Sequence, residues 1–460
     1  IAYERNVMAL QGAAHGDGGR VESFQTSVLV LREKDGKMQI LRDFGKTTTK
    51  KLGRPWPSDF SYQRLYVLPT TGELFVKEDQ GPGKSHYELI RIDPKTGRSR
   101  CFQLPFDAED VCFDRGGRIY MRTDALVVRY DAATMREIPW DYGEEHYNVG
   151  FSSIGGGRRR VKHVVSALRV PCVRPVHWHM GGMYMSNIGR LAVAVNNHQT
   201  RQKRMTYRAL QSSDGQYVPL LFPGRQAAKG IHVFDRHGHV VYKDAWPGIL
   251  RCDGIGIDND DDLYVMCDGT RRIDGKQIFE SATYTIMKAR AGKGKILSTK
   301  FAPIPLQKAQ QPKRPPELGG RAAEGWAEGV EWFYGGVGYA NTGCSCWHAR
   351  FCLDDYARSF APEVLHYSVA VLDTNGNLIC RVGKYGNTDD GLPLQKRGGP
   401  PSPRSIGGDE VGLMHPMYLA SHTDRRLFIA DAGNFCIRSV KLGYHATETV
   451  ALNDVPNEAP

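Results

Sequence analysis

Apolar and polar positions along this chain alternate in short bursts, and the bursts recur in one frame. An eleven-residue unit is written six times: an alternating apolar half, a polar turn, then a second half ending apolar–aromatic–apolar or close to it. The clearest copies are 111–121 (VCFDRGGRIYM) and 255–265 (IGIDNDDDLYV). Segments 66–76 (YVLPTTGELFV) and 419–429 (LASHTDRRLFI) keep the frame, while 351–361 (FCLDDYARSFA) and 183–193 (MYMSNIGRLAV) keep its spacing. Period-two alternation around a turn of Asp, Asn, Gly and Arg predicts a tight β-hairpin. A looser unit follows the hairpins, a β-branched run with an Asp and often a Gly, as at 231–238 and 369–376; 88–97, 126–131 and 437–443 are of the same kind.

Hairpin plus hairpin makes a four-stranded antiparallel sheet, which cannot bury both faces alone but can when stacked radially with others. The expectation is therefore all-β: a β-propeller of six four-stranded blades with long inserted loops. Seven blades stay open, because 28–44 matches only the second unit. Residues 1–61 read as an N-terminal arm whose two strands close the propeller, and 62–460 as the propeller itself. Insertions fall at 141–178, 194–229, 267–283 and 300–346, and loops that long in a compact fold carry function or are disordered.

Composition narrows the picture. Aromatics at 10% and hydrophobics at 41% exclude a disordered chain, and 51 Gly with 25 Pro point away from helical bundles. No run approaches the length of a membrane span. Ten cysteines, an even number, favour an oxidising compartment, and Ile1 reads as a processed or truncated start. A secreted or periplasmic location is expected. The formal charge is +11, and basic residues are scattered among several loops, at 158–160, 201–204 and 308–314 in the insertions and at 396–404 before the last blade. Without the aromatic interleaving of a recognised module, nucleic acid is disfavoured, and a partner protein or an anionic polysaccharide is the expected partner.

The last repeat carries a resemblance. Residues 427–438 (LFIADAGNFCIR) resemble the strand–Asp–x–x–Asn–x–x–Ile–Arg core of NHL-repeat propellers, and 253–265 resembles that family's inner hairpin. The resemblance implies the fold and leaves activity open.

In a propeller, residues just before each inner strand and just after each second strand emerge on one face, around the central channel. That places Asp110, His177, His179, Asp253, Cys344, Cys346, His348 and His415 on this face before the hairpins. After them come Asp79, Asp124, Asn196 with Asn197, Asp268, Glu363 and Asp431. His177 and His179, two apart on extended chain, can point the same way. With His415 and His348 they make a candidate site for one divalent metal, zinc or copper before calcium, with Asp253 or Asp431 as ligand or orienter. The alternative is that they line a wet channel mouth. Among NHL-like propellers, the peptidyl-hydroxyglycine lyases hold a metal in such a place, and His415 is similar in position to one of their histidines.

Residues 343–352 (GCSCWHARFC) are the densest cysteine cluster, with Cys344, Cys346 and Cys352; disulfides and a soft metal are both open there. No C-x-x-C-H occurs, so covalent haem c is excluded. Cys252 and Cys267 flank one hairpin and are a candidate cross-strand disulfide. Asp258 to Asp262 reads as an acidic turn, lacking the Gly and distant Glu of a calcium loop. Tyr184, Tyr339, Arg350 and Arg358 are candidates for proton abstraction and charge neutralisation. Two functions survive: a binding or scaffold module gripping its partner through basic loops, with any metal structural, and a metal-dependent lyase or hydrolase at the channel.

Overall fold

The computed structural model describes residues 2–9, 23–34, 37–43, 63–78, 88–93, 99–103, 108, 110–123, 126–140, 151–154, 166–170, 182–196, 210–212, 229–249, 252–267, 269–280, 283–298, 307–320, 323–338, 349–386, 411–422, 425–431 and 436–442. These residues are β-strand and turn; helix is limited among them to two 3-10 turns, Lys308–Gln310 and Val364–His366.

Six antiparallel sheets form six blades, numbered here in chain order. Blade 1 runs Gln63–Val67, Leu74–Glu78, Glu88–Ile92 and Ser99–Gln103. Blade 2 is Asp110–Phe113, Arg118–Thr123, Leu126–Asp131 and Leu168–Arg169. Blade 3 is Met183–Met185, Leu191–Asn196, Lys229–Phe234 and Val240–Tyr242. Blade 4 is Cys252–Ile257, Asp262–Cys267, Tyr284–Arg290 and Trp332–Val337. Blade 5 is Cys352–Leu353, Ser359–Glu363, Ser368–Leu372 and Leu378–Val382. Blade 6 is Pro416–His422, Arg426–Asp431 and Cys436–Lys441. Each inner strand touches the next, and that of blade 6 touches that of blade 1, so the ring closes at six.

The eleven-residue frame sets the register. Its first and eleventh residues pair in Val111↔Met121, Met183↔Val193, Ile255↔Val265 and Leu419↔Ile429, and Cys352↔Phe360 continues the same register in blade 5. Blade 1 differs by one residue, pairing Tyr66 with Phe75. The cause is local. In blades 2 to 5 the fourth residue donates its N–H to the eighth residue's carbonyl, as Asp114 does to Arg118 at 3.1 Å. Pro69 holds that place in blade 1 and has no N–H to give, so Leu68 donates to Glu73 instead, at 2.9 Å.

Apolar side chains fill the wedges between blades. Cys112, Tyr120, Trp140, Met183 and Leu191 pack between blades 2 and 3. Ile231, Trp246, Ile255, Val265 and Met287 join blades 3 and 4, and two further clusters join blade 4 to 5 and 5 to 6. Each fully buried Leu, Ile, Val or Phe contributes about 1.5–3 kcal/mol of transfer free energy, so the wedges hold the ring together. Gly248 follows Trp246 at φ +86, where a Cβ would stand 2.0 Å from the Ile296 carbonyl oxygen; only glycine fits.

Further sheets adjoin the blades. Ala2–Ala9, Ser23–Lys34 and Lys37–Asp43 form a three-stranded sheet whose first strand contacts Cys436–Lys441 of blade 6. Two insertions of blade 4 build a five-stranded side sheet: Thr270–Ile273 and Lys276–Gln277 come between its second and third strands, and Lys295–Ser298, Leu318–Gly320 and Ala323–Glu328 between its third and outer strands. Blade 4's outer strand thus comes from within 300–346. No helix of the described residues is long and apolar enough to cross a membrane.

Candidate functional site at the propeller axis

The inner strands of all six blades line an axial cavity of ≈ 170 Å³. Its waist is mostly apolar, walled by Leu65, Val111, Met183, Ile255, Phe351 and Leu419, with the Cys112 and Cys352 thiols and the Tyr184 ring among the lining groups. Burial pushes both thiols and the Tyr184 hydroxyl well above their ordinary pKa, so all three stay protonated at neutral pH. Tyr184 donates to the Leu353 carbonyl at 3.5 Å.

Asp110 closes one end. It is fully buried, and its carboxylate accepts from Tyr66 Oη at 2.9 Å, Arg350 Nη1 at 2.8 Å, its neighbour Val111 N at 2.9 Å and Met183 N at 2.7 Å. Those donors come from blades 1, 2 and 3 and from the strand lead of blade 5. Arg350 is aimed by its own backbone, whose N–H donates to the Met417 carbonyl at 2.7 Å in a parallel bridge onto blade 6. A buried ion pair of this kind is valuable mainly because breaking it strands a charge.

The opposite end is the mouth, built by the hairpin turns. Arg115 of blade 2 pairs with Asp355 of blade 5 at 2.6 Å and donates to Asn187 Oδ1 of blade 3 at 2.9 Å; Asn187 Nδ2 donates to Asp355 at 3.2 Å. Here the side chains are 48% and 35% exposed, against 13% and 0% for Arg350 and Asp110. Asn187, Ser186 and Asp355 are shared with a second hollow of ≈ 300 Å³ beside the turns of blades 3, 4 and 5.

The turns are held from within. Asp114 Oδ1 accepts from Gly116 N and Arg118 N, and Oδ2 from Tyr120 Oη. Asp258 repeats this with Asp260 N, Asp262 N and Tyr264 Oη, and Asp354 with Tyr356 N and Arg358 N, plus the Arg358 guanidinium. The fourth residue of the frame therefore fixes the backbone, and the fifth is left to project at the rim. The acidic run 258–262 is such a turn, its Asp262 paired with Lys288 at 2.8 Å. Arg115, Asn187 and Asp355 are all fifth residues. The repeat frame marks that position in every hairpin, whereas the recurring His and Asp positions point to the other face.

Of the residues expected on the channel face, Asp110, Glu363, Asp431 and His415 are described with their side chains. Asp431 accepts from the backbone N–H of His415 at 2.7 Å and of Met414 at 3.1 Å, holding the lead into blade 6. Burial lowers His415 to about 4 despite the nearby Asp431, which keeps its imidazole neutral. Burial raises Glu363, but hydrogen bonds from Arg381, Tyr334 and Ser368 outweigh it and leave its pKa below the usual value. Glu363 links blades 4 and 5. Asp253 and Asn196 sit in their strands, their side chains outside the described set. Asp79, Asp124, His177, His179, Asn197, Asp268, Tyr339, Cys344, Cys346 and His348 lie outside the described residues. Tyr184 and Arg350 both line the cavity, whereas Arg358 serves its own turn.

Cys252 and Cys267 face each other in direct register, as expected, yet no disulfide joins them. The register shifts just after Cys252, and its thiol donates along its own strand to the Gly254 carbonyl at 3.2 Å. Both sulfurs belong to the wedge between blades 3 and 4.

No protein-family model matches the chain, and no curated protein matches its sequence. Among solved structures it is similar to regucalcin, a calcium-binding protein from Agrobacterium tumefaciens, at 11% identity and TM-score 0.37 over 82% of this chain and 89% of that one. It is similar to virginiamycin B lyase from Staphylococcus aureus at 10% identity and TM-score 0.33, over 96% and 100%. An auxiliary nutrient binding protein from Bacteroides ovatus matches at 11% identity and TM-score 0.37, over 82% and 68%.

Proposed function

We propose that this β-propeller is a binding module of the NHL-like kind, secreted, in which the ring is a scaffold and the basic insertions recognise a partner protein or an anionic glycan. One observation supports this reading above the others. The Asp110 carboxylate, a fully buried acid of the expected polar ring, already accepts from Tyr66, Arg350, Val111 and Met183. Asp431 and Glu363 are likewise engaged in joining segments and blades. A catalytic carboxylate needs an oxygen facing substrate, whereas these face protein. The test is retention on heparin and chondroitin sulfate at rising salt, with Arg158, Arg159 and Arg160 changed together to Ser. Retention that weakens in the variant fits the proposal; identical elution, with no protein partner captured through the same loops, sinks it. The secreted location rests on the even cysteine count, and a count of thiols before and after reduction tests it.

His415 favours a second reading, the metal-dependent lyase or hydrolase. A buried imidazole held neutral is the form a zinc or copper ion takes. In this reading His177, His179, His348 and Asp253 complete the ligand set and the metal polarises a substrate oxygen. Elemental analysis of chain purified without chelator, repeated on His179→Ala with His415→Ala, decides it: stoichiometric metal lost in the variant supports the reading, and metal-free native chain ends it.

A further inference from the structure

We propose that the axial cavity is a binding chamber for one small uncharged aromatic molecule of the phenol class, admitted through the Arg115–Asn187–Asp355 mouth. At ≈ 170 Å³ the chamber is close to the roughly 150 Å³ of a Leu/Ile/Phe-lined cavity that accepts benzene or xenon. Its waist is mostly apolar, so a ring placed there leaves water behind along that wall and gains transfer free energy for the surface it buries. Polar groups mark where the ring's substituent belongs. The Tyr184 hydroxyl and the Cys112 and Cys352 thiols line the wall, all held protonated, and the Arg350 guanidinium stands at the inner end beside Phe351. A guanidinium donates hydrogen bonds and stacks on aromatic faces.

Charge then selects within the aromatics. Arg350 is balanced by Asp110 at 2.8 Å, so the inner end is neutral as a pair. A benzoate entering would bring a charge into a buried site with no net counter-charge, which costs more than the ring recovers. A neutral hydroxyl brings no such cost. The mouth differs from the inner end in the way entry requires: its ion pair is about half exposed, and such pairs open at little free-energy cost. The buried Asp110 end stays shut.

The experiment uses phenol as the probe, on the whole chain. Calorimetric titration is expected to give saturable one-to-one binding, with benzoate at least about tenfold weaker, a difference of about 1.4 kcal/mol. Ala420→Phe sets a ring-sized side chain into the chamber wall and is expected to weaken phenol at least about tenfold by the same arithmetic. Should that variant fail to fold, as judged by circular dichroism, the native chain decides the matter through its own thiols. Cys112 and Cys352 line the chamber, and Cys380 lies on the outer strand of blade 5. Phenol should slow labelling of the first two by methyl methanethiolsulfonate over long exposures at neutral pH, well below the phenol's own ionisation at about 10, mapped peptide by peptide, and leave Cys380 unchanged. Non-saturating heats, equal affinity for benzoate, or equal effects on all three cysteines would each overturn the proposal, leaving a chamber that holds only water.

Discussion

Blades 2 and 5 face each other across the axis and are tied together at both of its ends, with the polarity reversed. At the inner end blade 2 supplies the acid, Asp110, and the lead of blade 5 the base, Arg350; five residues further along each chain, blade 2 supplies Arg115 and blade 5 supplies Asp355. The distances are nearly equal, 2.8 and 2.6 Å. The surroundings are not. Asp110 has no exposed surface and, among the described residues, accepts from Tyr66, Val111 and Met183 besides Arg350, while Asp355 is open to water and accepts from Asn187. The same chemistry is therefore an anchor at one end and a latch at the other, and burial makes the difference.

The largest expected effect lies at the anchor. Asp110→Ala leaves Arg350 buried without its carboxylate and frees three other donors, so urea denaturation should show a loss of about 3–5 kcal/mol. A loss below about 1 kcal/mol would mean that the two ends are alike. Next comes Tyr66→Phe, which removes one hydrogen bond to the same charged acceptor and should cost about 1.5–3 kcal/mol by the same measurement.

Acid should also act on the buried groups first. His415 and His232 are lowered by burial from 6.5 to about 4 and about 3. Below pH 6.5 the unfolded chain takes up protons that these folded sites refuse. Stability therefore falls as pH drops, by up to about 1.4 kcal/mol per pH unit for each group. The contribution of His415 levels off near pH 4 and that of His232 near pH 3. Denaturation curves between pH 7 and 4 should be shallower in His415→Gln, and an unchanged slope would remove His415 from the account. The smallest effect belongs to the latch: Asp355→Ala should cost under about 1 kcal/mol, and 1 M salt should erase most of the difference from the native chain. A cost matching that of Asp110→Ala would break the comparison outright.

The hairpin frame made the ring legible because alternation and turn chemistry are local. Five of the six registers follow from it, and the sixth departs through Pro69, a residue visible in the frame whose missing N–H moves the pairing by one. The outer strand of blade 4 was not legible, since the side sheet separates Trp332–Val337 from its blade and periodicity does not say what a returning strand will pair with. At the site, Asp110 was legible as an acid at the start of an inner strand. Its partnership with Arg350, 240 positions away, is a property of ring closure that no spacing encodes. Cys252 and Cys267 show the same limit at atomic scale: their register was readable, the direction of a thiol was not.

The turns that rim the mouth separate two jobs onto neighbouring residues. The fourth residue of the unit, Asp114, Asp258 or Asp354, holds the backbone through bonds made entirely within its own hairpin. The fifth, Arg115, Asn259 or Asp355, is thereby free to vary without unsettling the turn. In evolutionary terms the rim is a set of interchangeable letters on fixed type. A lineage can rewrite the entrance to the axis one blade at a time, by single substitutions, while the ring beneath it stays the same.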